Sequence, residues 1–313
     1  VRRHLRSPNR SFVHAADQTI LKKSVNSDLL PVRHYTVVWI AGNLLIILNA
    51  TKEVHMNFIS IENAEWVTWM KLNRPTVFNS FNRQMALELL AALDTAEADT
   101  HSRCIVLTGE GRAFCAGQDL QEAIDPNGPG LERIIDEHYN PIIRKLRQIH
   151  KPVIAAVNGV AAGAGANIAL ACDIVVACES ASFIQAFSKI GLVPDSGGTY
   201  FLPRLVGWNR ASALMLTGDR LMASDALQCG LLYKVWEDAA FRDEVHKLSQ
   251  RIALMPTKAL LLTRELLNAS ATNDLEQQLK MEKEYQVRAG STDDYQEGVR
   301  AFIEKRTPQF KGF

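Results

Sequence analysis

The sequence lacks most of the signatures by which a catalytic site can be read from a chain. Its five cysteines are an odd number with no C-x-x-C pair, so neither a disulfide framework nor a zinc site is indicated, and a reducing, cytoplasmic setting is expected. Eight histidines are scattered without an H-E-x-x-H pair, and no other metal-ligand cluster stands out. The phosphate loop G-x-x-x-x-G-K-S/T and the G-x-S-x-G elbow are both missing, which argues against nucleoside-triphosphatase and serine-hydrolase chemistry. Net charge is nearly absent: 35 Lys and Arg against 34 Asp and Glu leave +1, giving no support for a nucleic-acid partner. The apolar run Tyr35 to Leu48 spans 14 residues and is broken by Gly42 and Asn43, so no membrane partner is expected either.

What is present suits a soluble globular protein with ample length for a core: 313 residues, 47% hydrophobic and 22% charged. Residues 1–55 differ from the rest, with eight Lys and Arg against three Asp and Glu, while the remainder carries 27 against 31. They are expected to be a disordered leader, or sequence upstream of a natural start at Met56, and to carry no function.

From Met56 the pattern is regular. Alternation over Asn57–Glu62 and Trp66–Leu72 predicts two strands with a turn at Asn63-Ala64. Met85, Leu89, Ala92 and Leu93 share one helical face. Arg103–Gly109 reads as a buried strand, followed by a glycine-bearing loop, Glu110 to Leu120. A helical stretch around Ile135, Tyr139, Ile142 and Leu146 contains Pro141, which predicts a kink or break. Strand Val153–Val157, helix Gly165–Ala171, strand Asp173–Cys178 and a short strand near Ser182–Gln185 follow, so the class is α/β. Beyond Trp208 the chain reads as helical, apart from a strand at Leu231–Trp236, and Ser291 to Asp294 opens the last helix like a capping box.

The chemistry is expected in Pro152 to Leu202. Gly163-Ala164-Gly165 follows a strand and opens a helix, but without a third glycine or a following acid it is a weak dinucleotide fingerprint. Cys115-Ala116-Gly117 is a second glycine turn after a strand, and two such turns can aim two N–H groups at one oxygen. Asp195 precedes Gly197-Gly198 where few other charges occur, and an N-cap is its structural alternative.

Asn73-Arg74-Pro75, Phe114-Cys-Ala-Gly-Gln-Asp119, Ala156-Val-Asn-Gly159, Gly163-Ala-Gly165 and Gly197-Gly-Thr199 resemble the signature blocks of the enoyl-CoA hydratase/isomerase (crotonase) superfamily, in order and spacing from about Met56 to Phe313. The resemblance implies a crotonase-like β-β-α spiral core over 56–255 and a C-terminal helical trimerisation region over 256–313, in a homotrimer or dimer of trimers. It implies an acyl-CoA substrate, no cofactor beyond the coenzyme A that the substrate carries, and an oxyanion hole built from the N–H groups of Ala116 and Ala164. Gly117, Gln118, Asp119, Leu120, Gly163, Phe187, Tyr139 and Asn140 are expected around the CoA and acyl groups, although Asp119 also suits a cap and Tyr139 and Asn140 an ordinary helix face.

The departures carry the functional expectation. Where hydratases of this superfamily place two glutamates, the chain has Asn167 and Phe187, and neither accepts a proton. Asp195 matches the aspartate of isomerases, and a single carboxylate suits moving a proton between two carbons of an acyl thioester without water. The expected reaction converts the ring epoxide of phenylacetyl-CoA to its oxepin isomer. Shifting a 3-enoyl-CoA double bond to the 2-enoyl position comes second and hydration third; a non-catalytic acyl-CoA-binding subunit is the alternative from another class.

Overall fold

The computed structural model describes residues 36–40, 43–47 and 54–313, and the chain divides into two units, Val1–Ile47 and Leu48–Phe313. In the first unit the described backbone is an antiparallel pair, β1 (Thr36–Ile40) and β2 (Asn43–Ile47). The rest of the expected leader lies outside the described residues, except that β3 (Val54–His55) already pairs with Ser60 and Ile61, so the second unit's sheet begins before Met56.

In the second unit β4 (Ile59–Ala64) and β5 (Val67–Leu72) form the expected hairpin, with its turn at Glu65-Trp66 instead of Asn63-Ala64. Both turn residues have positive φ, 51° and 69°, the type I′ geometry that matches strand twist, although neither is the glycine or asparagine that usually marks it. Helix α1 (Arg83–Ala98) starts at Asn82, whose side chain accepts the N–H of Met85, and buries Met85, Leu89 and Leu93, contributing roughly 1.5–3 kcal/mol each.

Three similar turns of chain follow. Each lays one strand in a large sheet and the next in a small one: β6 (Cys104–Gly109) then β7 (Ala113–Cys115), β8 (Val153–Val157) then β9 (Val160–Ala162), β10 (Ile174–Cys178) then β11 (Ser182–Ile184). Between the first two turns run α2 (Leu120–Ile124), α3 (Gly130–Arg133) and α4 (Asn140–Gln148); α5 (Ala164–Leu170) follows β9, and α6 (Gly198–Val206) and α7 (Trp208–Thr217) follow β11. With β12 (Arg220–Met222), α8 (Ala223–Gln228) and β13 (Lys234–Trp236), the large sheet has the order β13-β10-β8-β6-β5-β4-β3 and the small one β12-β11-β9-β7. Strands β6 and β8 are buried at every position, as strands covered on both faces must be, so they read as continuous apolar runs. Pro141 makes no break: it sits in the first turn of α4, after a wider π-helical turn over Ile134–Tyr139 that absorbs its missing N–H.

Four helices complete the unit: α9 (Phe241–Ala253), α10 (Thr257–Ala269), α11 (Leu275–Gly290) and α12 (Asp293–Glu304). The stripe Phe241, Val245, Leu248 and Ile252 is buried, and Arg264 on α10 donates to the carbonyls of Ile149 and Lys151 and pairs with Asp173. Thr292 caps α12 by accepting the N–H of Tyr295; the acidic N3 partner of a full capping box is missing. Among the described residues no helix is long and apolar enough to cross a membrane.

Candidate active site

Strands β7, β9 and β11 are parallel neighbours, so their C-terminal ends open on one edge of the small sheet. The three chain segments leaving that edge carry the expected site residues.

In the first segment Ala116 donates its N–H to the carbonyl of Phe78 at 2.9 Å. That N–H is committed, which corrects the expectation that Ala116 offers a free donor. Two residues on, Phe81 donates to the carbonyl of Gly117 at 2.7 Å and accepts from the N–H of Asp119 at 2.8 Å, a parallel bridge bracketing Gln118. In such a bridge the bracketed residue directs its own N–H and C=O away from the partner strand. The N–H of Gln118 therefore points away from Phe81 and has no protein partner among the described residues. Gly117 is at φ +96°, and a Cβ on it would lie 3.0 Å from the carbonyl oxygen of Ala162 and 3.6 Å from the nitrogen of Ala164. Only glycine lets the first two segments approach so closely.

In the second segment Gly163, at φ +51°, hands the chain from β9 into α5 and donates to the carbonyl of Ile184 at 2.9 Å. Ala164 is the first residue of α5, and its N–H is one of the donors that a helix start leaves without an intrahelical acceptor. Helix α5 is buried all round, so this N–H is held by rigid surroundings.

The third segment carries Phe187 and Asp195. The buried ring of Phe187 lies 3.7 Å from where a Cβ of Gly163 would sit. Asp195, Ser196, Gly197 and Gly198 form a tight turn closed by a 2.9 Å bond from the Gly198 N–H to the Asp195 carbonyl, with Ser196 and Gly197 both left-handed at φ 51° and 72°. Asp195 does not cap α6 with its side chain; its Oδ1 accepts the Ser196 hydroxyl at 2.8 Å. Burial pushes the Asp195 carboxyl above the usual carboxylate range, partly offset by the Ser196 hydroxyl and its own backbone N–H.

The other expected residues divide. Tyr139 is brought in as a support: its hydroxyl donates to Gln118 Oε1 at 2.7 Å, and its ring meets Phe81 edge-on. Burial, reinforced by the negative charges of Asp195 and Glu122, holds the phenol well above its ordinary pKa, so it stays a donor. Asp119 caps α2 through the N–H of Gln121 and pairs with Arg74 at 2.9 Å, while Leu120 is exposed on the first turn of α2. Asn140 donates to Asp136 at 3.4 Å along its own helix and makes no bond to the others. Cys115 is buried with its thiol pushed up to about 12, which disposes of a thiolate nucleophile. Asn167, one of the two positions without a carboxylate, is fully buried. Sequence reasoning missed Gln185 and Ser196, which bond to Asn167 and Asp195; a glutamine and a serine carry no pattern that marks them. A hollow of about 860 Å³ lies on the surface among Met56, Arg83, Leu87, Glu88 and Glu122, but Ala164, Phe187 and Asp195 do not line it.

Residues 62–312 match the family model described as enoyl-CoA hydratase/isomerase, nearly the whole of the second unit. The chain belongs to this family. It is 47% identical over 260 residues to the 1,2-epoxyphenylacetyl-CoA isomerase of Escherichia coli (strain K12), an alignment covering 82% of this chain and 99% of that protein. It is 36% identical to the trans-2-decenoyl-[acyl-carrier-protein] isomerase of Streptococcus mutans, over 79% of this chain and 95% of that one. The crystal structure of an enoyl-CoA hydratase from Bacillus anthracis superposes with a TM-score of 0.77 at 35% identity, covering 82% of this chain and all of that one. The crotonase fold expected from the signature blocks is therefore the fold of this enzyme, and the family's members include both isomerases and hydratases.

Proposed function

We propose that this enzyme is an acyl-CoA isomerase in which Asp195 carries a proton from one carbon of a thioester to another. The observation behind this reading is a half-buried carboxylate, Asp195, whose pKa burial raises, in a site where the two positions flanking the reaction hold an amide, Asn167, and a phenyl ring, Phe187. A carboxyl raised toward the working pH is better matched to both taking and returning a proton. It supplies roughly 10²- to 10⁴-fold in rate.

The thioester carbonyl accepts from two backbone donors, the N–H groups of Gln118 and Ala164, which stabilise the enolate as the proton leaves the carbon beside it. Tyr139 and Glu122 hold the Gln118 side chain and so fix that peptide's orientation, with Gln118 Nε2 donating to Glu122 at 3.1 Å. Water has no step in this chemistry: Asn167 and Phe187 accept no proton, so nothing opposite Asp195 activates it. Coenzyme A enters as part of the substrate and no further cofactor takes part.

The substrate is the ring epoxide of phenylacetyl-CoA, converted to its oxepin isomer; similarity to the E. coli isomerase supports this choice. A 3-enoyl to 2-enoyl shift is the second reading, favoured by similarity to the decenoyl isomerase and needing the same two donors and single carboxylate. The working form is a homotrimer, joined through the C-terminal helical region, where Leu275, Leu279 and Phe302 are exposed. The test is a panel of the ring epoxide, a 3-enoyl-CoA and a 2-enoyl-CoA. Turnover of the first or second supports the isomerase; fast hydration of the third refutes it; binding with no turnover marks an acyl-CoA-binding subunit.

A further inference from the structure

The side chain of Asn167 does more than omit a carboxylate. Its Nδ2 donates to the backbone carbonyl of Asp195 at 2.9 Å, and its Oδ1 accepts from Gln185 Nε2 at 2.9 Å. A carbonyl only accepts, so Asn167 must present its NH₂ to Asp195, its oxygen must face Gln185, and Gln185 must present NH₂ in turn. The direction of the whole chain of bonds is thus set at the Asp195 carbonyl. Gln185 is buried, and its Oε1 finds no partner among the described residues, so its amide is spent on the one bond that orients Asn167. Gly198 completes the contact: a Cβ there would lie 2.4 Å from Asn167 Nδ2, so the turn is glycine where the asparagine leans on it.

We propose that Asn167 is a positioning residue that holds the left-handed turn at Ser196-Gly197 and thereby aims the Asp195 carboxylate at the substrate. Helix α5 then serves the reaction twice, offering the Ala164 N–H at its start and bracing the acid one turn later.

The proposal rests on Asp195 as the acid–base group, and its test keeps the two apart. The kcat and KM of Asn167→Ala, Asn167→Asp and Asp195→Asn are measured from about pH 5.5 to about 8.5 with whichever of the ring epoxide and 3-hexenoyl-CoA the unsubstituted enzyme turns over. Asn167→Ala is expected to lose roughly 10- to 100-fold in kcat at every pH with KM within about twofold, because aim and not affinity is lost. Asn167→Asp keeps the shape and the acceptor for Gln185. While protonated it still donates to the Asp195 carbonyl; once ionised it sets oxygen against oxygen. Its kcat relative to the unsubstituted enzyme is therefore expected to fall as pH rises, with Tyr139 and Ser196, the other groups facing Asp195, unchanged. A folded variant with full kcat, a loss confined to KM, or an Asn167→Asp deficit equal at every pH would each overturn the proposal. Should Asn167→Ala fail to fold, the pH course of Asn167→Asp decides alone. Full turnover by Asp195→Asn refutes the acid–base assignment itself; an inactive Asp195→Asn beside unaffected Asn167 variants refutes only the brace.

Discussion

Replacing single backbone amides by esters separates the donors of the oxyanion hole from their neighbours. An ester at residue 164 or 118, introduced as the α-hydroxy analogue of alanine or glutamine, removes one N–H and leaves the side chain and shape in place. Each donor is worth about 3 to 4 kcal/mol in the transition state, and at 1.36 kcal/mol per tenfold that is a fall of roughly 10²- to 10³-fold in kcat. Position 116 is the internal control: its N–H already serves Phe78 at 2.9 Å, so an ester there removes an ordinary backbone bond between two exposed residues. That change costs about 1 kcal/mol of stability and less than about threefold in kcat. Steady-state kinetics and thermal melts of the three proteins provide the assay. A large loss at 116 with none at 118 would refute the assignment of Gln118 and restore Ala116.

Asp195→Asn is expected to melt higher than the unsubstituted protein at neutral pH while losing activity. Burial raises the Asp195 pKa in the folded state, so its contribution to stability is complete below the unfolded pKa and is lost as pH rises through the folded one; the gain from asparagine should vanish in acid. Gly165→Ala sets a methyl 2.5 to 2.6 Å from the carbonyl oxygen, Cβ and Sγ of Cys115 and should destabilise by about 1–3 kcal/mol in urea unfolding. At Glu97, burial raises the carboxyl, but Lys145 and the backbone and ring of His150 outweigh it and bring it to about 2. Its stabilising contribution is present above the unfolded pKa and lost as pH falls toward 2; with solvent screening it is about 1 kcal/mol, so Glu97→Gln should flatten the acid limb of a stability curve by that amount.

Much of this architecture was legible because its signals are local. The alternation of Ile59, Ile61, Met70 and Leu72 and the helical face of Met85, Leu89 and Leu93 come straight from periodicity. The spiral and the identity of Asp195 came from the resemblance of the glycine blocks. What stayed hidden depends on long-range register. The sequence cannot show that Phe81 bridges Gln118 and that Phe78 takes the Ala116 N–H, so the donor was placed two residues early. The hairpin turn was misplaced by two residues because Glu65 and Trp66 adopt left-handed backbone without the residues that favour it. The role of Asn167 was invisible for the opposite reason: its absence of charge was plain, but its bonds to Asp195 and Gln185 exist only once α5 and the third segment are packed.

The central claim is that one carboxylate moves a proton within the acyl thioester and that water adds nowhere. It is tested most directly with 3-hexenoyl-CoA carrying deuterium at the carbon beside the carbonyl, following product mass and label position for the unsubstituted enzyme and Asp195→Asn. The account predicts the 2-enoyl isomer, with no solvent oxygen and part of the label moved to the distal carbon, formed roughly 10²- to 10⁴-fold more slowly by Asp195→Asn. A product containing solvent oxygen, or undiminished isomerisation by Asp195→Asn, would contradict it.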